Sequence, residues 1–197
     1  MNYSIYAEST PNPGVMKFVA NRMLVDKSIE ITQAEQAKDI SVAKALFNFP
    51  FVKSLYLSSN FISIAKTDNV EWDMIAMQLR NFITDFLNEE GLKNYTENIT
   101  EEEIIKSEVK SEKSTVKIEF TDKEKAIIDL LNEYIKPAVE ADGGAITFNS
   151  YVGDVVTVNL KGACSGCPSA TSTLKGGIES LLNQKVDPNI VVRANEG

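Results

Sequence analysis

Lys161-Gly162-Ala163-Cys164-Ser165-Gly166-Cys167-Pro168-Ser169 sets two cysteines on either side of two residues, between the end of a strand and the start of a helix. Upstream, Val155 to Leu160 reads as a strand. Gly153-Asp154, a two-residue hairpin signal, joins it to a strand from Ala145 to Val152. Downstream, Pro168 suits the first helical position, where a missing N–H costs little. Leu174, Gly177, Ile178, Leu181 and Leu182 then face inward on a helix reaching about Asn183, and Ile190 to Ala194 reads as a closing strand. Further back, Thr121 and Glu124 form a capping box that opens a helix with Ile127, Leu130, Leu131, Tyr134, Ile135 and Ala138 on one face. Pro137 should kink that helix, since its ring clashes with the preceding turn and lacks a donor. Gly143-Gly144 ends it.

N-terminal to this segment, residues 96–115 are rich in Glu and Lys and contain no Gly, Pro or aromatic residue. Such a stretch buries too little apolar surface to offset its ordering entropy, so it reads as a solvated linker; a short exposed helix around Glu101 to Lys110 is the alternative. The first ninety or so residues form a separate α+β pattern. Tyr3 to Ala7 and Val15 to Ala20 read as strands around Thr10-Pro11-Asn12-Pro13-Gly14, a turn that either contacts a partner or packs as a rigid loop. Val42, Ala45, Leu46 and Phe49 mark a short helix after Ser41. Val52 to Leu57 and Phe61 to Lys66 form a hairpin. Trp72, Ile75, Ala76, Leu79, Phe82, Ile83, Phe86 and Leu87 trace one stripe of a long helix ended by Gly91, which makes Trp72 a core residue. The expectation is two small α+β domains, residues 1–94 and 118–197, joined by a charged linker at 95–117. No repeat relates the halves.

Composition narrows function by exclusion. A formal charge of −8, with no basic run, argues against nucleic acid. No stretch approaches the roughly 20 apolar residues that span a bilayer. The first residues lack both the pattern of a secretory signal and the Arg-rich character of a transit peptide, so the chain as written should stay in a cytoplasm or be shown without its presequence; the expectation taken forward is cytoplasmic. There is no histidine, which removes the commonest general base, the imidazole metal ligand and Cys–His or Ser–His catalysis. The expectation is therefore not an enzyme.

The two cysteines carry the remaining chemistry. By spacing alone, Cys-x-x-Cys serves thiol–disulfide exchange, half of a zinc site or half of an iron–sulfur site. Gly162 and Gly166 let the backbone approach a bulky ligand. A helix N-terminus favours thiolate over thiol. Thioredoxin-like enzymes set their motif after the first strand of a βαβ unit, whereas this motif follows a hairpin. A site with four protein ligands cannot close on two thiolates and no imidazole. Two protomers about a two-fold axis would supply four, so such a site implies a homodimer held by its metal. Asp142-Gly143-Gly144 reads as a helix stop and tight turn rather than an acidic site.

From Ile135 onward the sequence resembles the C-terminal domain of NifU-like (Nfu) iron–sulfur proteins. The resemblance lies in Ile135-Lys136-Pro137-Ala138-Val139-Glu140-Ala141-Asp142-Gly143-Gly144, in Gly162 to Ser169 and in Thr173-Leu174-Lys175-Gly176-Gly177-Ile178-Glu179. Ala145 departs from it, standing where the family often has an acid. Thr10-Pro11-Asn12-Pro13-Gly14-Val15-Met16-Lys17-Phe18, Ala43 to Phe47 and Phe61 to Lys66 are similar to the family's N-terminal domain. The resemblance implies that Cys164 and Cys167 ligate a [4Fe–4S] cluster between two subunits and that the cluster passes to apo-proteins. Four thiolates would equally serve a [2Fe–2S] form. It also implies that the N-terminal domain docks clients or upstream assembly proteins.

Overall fold

A computed structural model of the chain describes residues 2–37, 40–91, 121–165 and 168–196, with backbone alone at 168–171 and 196. The linker reading, Glu101 to Glu103 within it, and Cys167 all lie outside the described residues.

The first domain is a five-stranded antiparallel sheet carrying helices on one face. Its elements are β1 (Ile5–Ser9), β2 (Val15–Ala20), β3 (Ile29–Ile31), a 3₁₀ turn (Ala34–Ala37), α1 (Ser41–Leu46), β4 (Val52–Ser58), β5 (Phe61–Lys66) and α2 (Trp72–Glu89). The strand order is β1-β2-β5-β4-β3. The expected stripe on α2 lands on the sheet: Ile75, Leu79, Ile83 and Leu87 are buried against Phe18, Leu55, Leu57, Ile62 and Ile64. Gly91 follows the helix at φ +65°, a left-handed conformation that suits glycine. Strand β3 and the 3₁₀ turn were not foreseen, because three or four residues are too few to establish a period.

The second domain contains α3 (Asp122–Leu130), a π turn (Leu131–Ile135), α4 (Lys136–Ala141), β6 (Gly144–Val152), β7 (Val155–Gly162), α5 (Pro168–Lys185) and β8 (Val191–Glu196). The capping box forms as expected: Thr121 N–H donates to Glu124 Oε2 at 2.8 Å, and Glu124 N–H donates back to Thr121 Oγ1 at 3.3 Å. The kink expected at Pro137 takes the form of the π turn, in which Lys136 N–H bonds the carbonyl of Leu131, five residues back. The wider turn absorbs the missing proline donor and advances the helical register by one residue. Ile127, Leu131 and Val139 are therefore the buried set, while Tyr134, expected inside, is 51% exposed and Ala138 is exposed too. Gly177 on α5 was likewise expected inward and is exposed.

Strands β6 and β7 form the expected hairpin, with Gly153 at φ +61° in its turn. Strand β8 pairs with β7 in parallel, and α5 makes the crossover. Leu160, Val158, Val156, Ile146, Ile178, Leu182 and Val192 close a core separate from that of the first domain.

The outer face of the first sheet, opposite its helices, decides how the domains meet. Alternation puts Lys17, Tyr56 and Ser63 on that face, where a half-buried antiparallel sheet would ordinarily show them to water. Instead Tyr56 and Ser63 are each 2% exposed and Lys17 is 9% exposed. The second domain covers them, with the end of α4 and the adjoining ends of β6 and β7.

Candidate metal-ligand site

Cys164 follows the end of β7 on a turn made possible by glycine. Gly162 ends the strand at φ +63°. Ala163 N–H donates to Gly143 O at 3.2 Å, tying the turn to the bend between α4 and β6. Ser165 closes it, its N–H and its Oγ both donating to Gly162 O, at 3.2 and 3.1 Å. The side chain of Cys164 turns inward over Gly144. A Cβ built on Gly144 would lie 2.6 Å from Cys164 Sγ and 2.8 Å from Lys161 O, so the bare backbone makes the room for the sulfur. The Asp142-Gly143-Gly144 stretch is thus a helix stop that also forms the floor beneath the cysteine.

Cys164 is 7% exposed and borders a cavity of about 360 Å³ lined by Val139, Asp142, Thr173 and Leu174 of its own domain and by Pro11 of the first. Burial pushes its thiol up to about 11, and the Asp142 carboxylate adds to the shift. This reverses, for the described conformation, the expectation that the helix start favours thiolate. Cys164 lies four residues before Pro168, outside the first turn of α5, where burial and Asp142 both disfavour the charged form. Of the two expected ligands the structure therefore places Cys164 and leaves Cys167 undescribed. Among the described residues no group of three or more His, Cys, Asp or Glu side chains gathers to hold a metal.

The parallel pairing of β7 and β8 corrects one argument from the sequence. The motif does follow a hairpin, but it also opens a strand–helix–strand unit, so its placement no longer separates this chain from thioredoxin-like enzymes. Parallel pairing is a long-range property that the hairpin signal could not reveal.

Four side chains of the first domain reach the turn, and sequence reasoning assigned none of them a role. Asn12 Nδ2 donates to Ala163 O at 3.2 Å and to Ser165 O at 3.3 Å, so it holds the carbonyls on both sides of Cys164. Glu30 accepts the Gly162 N–H at 3.1 Å. Ser63 Oγ donates to Gly143 O at 2.6 Å. Lys17 Nζ donates to Ala141 O at 2.8 Å, placing a cation at the negative end of α4. The only clue in the sequence was the Thr10–Gly14 turn, for which two roles stayed open. It packs as a hydrogen-bonded loop and, through Asn12, touches the chain's own second domain: Thr10 Oγ1 lies within hydrogen-bond reach of Asn12 O and Val15 O, Gly14 N–H donates to Asn12 Oδ1, and Trp72 Nε1 donates to Pro13 O. Trp72 packs, partly buried, on the core as expected and clamps this loop in addition.

Residues 5–90 match the family described as scaffold protein Nfu/NifU N terminal, and residues 127–193 match the NifU-like domain. The chain is 33% identical over 181 residues to the NFU1 iron-sulfur cluster scaffold homolog, mitochondrial, of Drosophila grimshawi, a match covering 90% of this chain and 57% of that one. It is 30% identical over 182 residues to NifU-like protein 4, mitochondrial, of Arabidopsis thaliana, covering 90% and 61%. The chain thus spans about three fifths of the length of these relatives. The solution structure of a NifU-like protein from Saccharomyces cerevisiae superposes with a TM-score of 0.40 at 28% identity, over 44% of this chain and 79% of that one. The cytoplasmic expectation is overturned by the relatives, which are named as mitochondrial. That expectation rested only on the composition of the first residues of the chain as written. Among the described residues no helix is long and apolar enough to cross a membrane.

Proposed function

Because the chain belongs to the NifU-like family, with an Nfu N-terminal domain ahead of a NifU-like domain, we propose that it is a carrier or late scaffold for iron–sulfur clusters rather than an enzyme. Its cargo is a [4Fe–4S] cluster, held by Cys164 and Cys167 of two protomers and passed to apo-proteins. The domains run from 1 to 94 and from 118 to 197, with 95–117 between them. The observation that carries the reading is Cys164 on a glycine-built turn between β7 and α5, in a chain with two cysteines and no histidine. Soft thiolates select zinc, copper(I) or iron–sulfur clusters, and a four-thiolate site then needs a second copy. Transfer is ligand exchange: each iron–thiolate bond to the carrier is replaced by one to the client, with no change of oxidation state. Clients and upstream assembly proteins are the partners this cargo implies.

One observation favours a second reading. The motif opens a parallel strand–helix–strand unit, the setting in which thioredoxin-like oxidoreductases place theirs. Against it, reactive cysteines in such enzymes have depressed thiol pKa values, and that of Cys164 is raised.

Anaerobic reconstitution with iron and sulfide tests the proposal. The expected product is a brown dimer with about four irons, able to restore activity to an apo-enzyme that needs such a cluster. A colourless zinc dimer, or a redox-active monomer that takes no iron, would replace it with one of the rivals. Full reconstitution by Cys164→Ser or Cys167→Ser would refute the ligand assignment.

A further inference from the structure

The outer face of the first domain's sheet meets the ligand turn through polar side chains, and almost all of them address backbone. Asn12 takes the carbonyls of Ala163 and Ser165, Ser63 takes that of Gly143, Lys17 takes that of Ala141, and Glu30 takes the N–H of Gly162. The second domain keeps glycine where this face lands. A Cβ on Gly143 would lie 2.7 Å from Ser63 Oγ, and one on Gly162 would lie 2.8 Å from the Tyr56 ring. Both glycines also have positive φ, so their conformation and their missing side chains suit the contact together. Polar atoms that alternation assigns to water are buried here, and their hydrogen bonds are met by the backbone of the Cys164 turn and of the α4–β6 bend to which that turn is tied.

We propose that this face is a binding surface for the ligand turn, and that its occupation by the chain's own turn holds the protein in a capped form that cannot share a cluster. The inference rests on the reading that Cys164 ligates a cluster between two protomers. Such a cluster needs the Cys164 turns of both protomers at one place. The thiol of Cys164 packs in the core of its own domain, while the carbonyls before and after it are held by Asn12, Pro11 borders the cavity beside it, and the first domain occupies the approach from that side. The interface consists mainly of hydrogen bonds and one helix-end cation rather than a shared apolar core. Each domain has its own core, which makes separation without unfolding the expected motion. Undocking returns Lys17, Glu30 and Ser63 to water, where they are readily solvated, and leaves the turn open to a second copy.

The test uses the full chain carrying Cys167→Ser, so that a thiol alkylating reagent at fixed pH reports on Cys164 alone. Glu30→Ala with Ser63→Ala removes two contacts, one of them to a charged group. The expected result is alkylation of Cys164 about tenfold faster, with an unchanged circular dichroism spectrum. An unchanged rate in the folded variant overturns the cap. Should the double variant lose its fold, Ser63→Ala alone gives the same test, with a several-fold increase expected and no increase overturning the cap. Reconstitution of the protein with both cysteines separates this inference from the reading beneath it. If no cluster is taken up, the cluster reading fails whatever the alkylation rate. If the cluster is taken up and alkylation is indifferent to the substitutions, the cap alone fails.

Discussion

Gly144→Ala probes the packing beneath the ligand turn with a single methyl group. The added Cβ would lie 2.6 Å from Cys164 Sγ, 2.8 Å from Lys161 O and 3.0 Å from Cys164 Cβ. The carbonyl belongs to a paired strand residue, since Lys161 sits opposite Ala145, so the backbone cannot yield cheaply. Relief must come from rotating or displacing Cys164. Overpacking of this kind costs about 1–3 kcal/mol. For a domain of this size each kcal/mol lowers the melting temperature by roughly 4–8 °C. Gly177→Ala is the matched control in the same domain: it is exposed in the middle of α5, and a Cβ there meets nothing within 4 Å. Relieving a helical glycine should stabilise by about 0.5–1 kcal/mol. Urea and thermal denaturation of the two variants should therefore shift in opposite directions, and Gly144→Ala should also impair cluster uptake. If Gly144→Ala matched the wild type in stability and in cluster uptake, Cys164 would not be packed over Gly144 and the account of the turn would fail.

Three further outcomes follow from local chemistry. Thr121→Ala removes the side-chain half of the capping box, leaving the backbone N–H to Glu124, and should destabilise the second domain by about 1 kcal/mol, read as a lower urea midpoint with unchanged slope. Trp72→Phe keeps the ring but loses the bond to Pro13 O, which should cost about 0.5–1.5 kcal/mol and speed proteolysis or hydrogen exchange in the Thr10–Gly14 loop. The Cys164 thiol is pushed up to about 11 in the folded protein from an ordinary value of 9.0. The native state thus holds the proton more tightly, and the resulting stability is fully present below pH 9 and fades as pH rises toward 11. Denaturation midpoints across that range should fall more steeply for the metal-free wild type than for Cys164→Ser; parallel curves would contradict the burial of the thiol.

Most of the secondary structure was legible because its signals are local. The Thr121–Glu124 box, the Gly153-Asp154 hairpin, the stripe on α2 and the stop at Gly91 each depend on residues within a few positions of one another, and each appears as read. Pro137 shows where local reading runs short. The proline announced a disturbance, but the choice of a π turn over a bend came from packing, which buried Val139 in place of Ala138. The parallel partner of β7 was hidden for a related reason, since strand direction depends on where an 18-residue crossover helix returns the chain.

By itself, the sequence determined two α+β units, and two cysteines beside glycines between a strand and a helix in a stretch without histidine. The tertiary structure alone decided what surrounds Cys164. Alternation along β2, β4 and β5 assigns Lys17, Tyr56 and Ser63 to solvent, because the period of a strand distinguishes its two faces but not what covers the second one. That cover comes from a domain more than a hundred residues away for Asn12, Lys17 and Glu30, through hydrogen bonds to backbone atoms that carry no side-chain signature. Backbone recognition leaves its trace in the sequence only as glycines, and a glycine shows that a side chain is unwelcome without showing which surface excludes it.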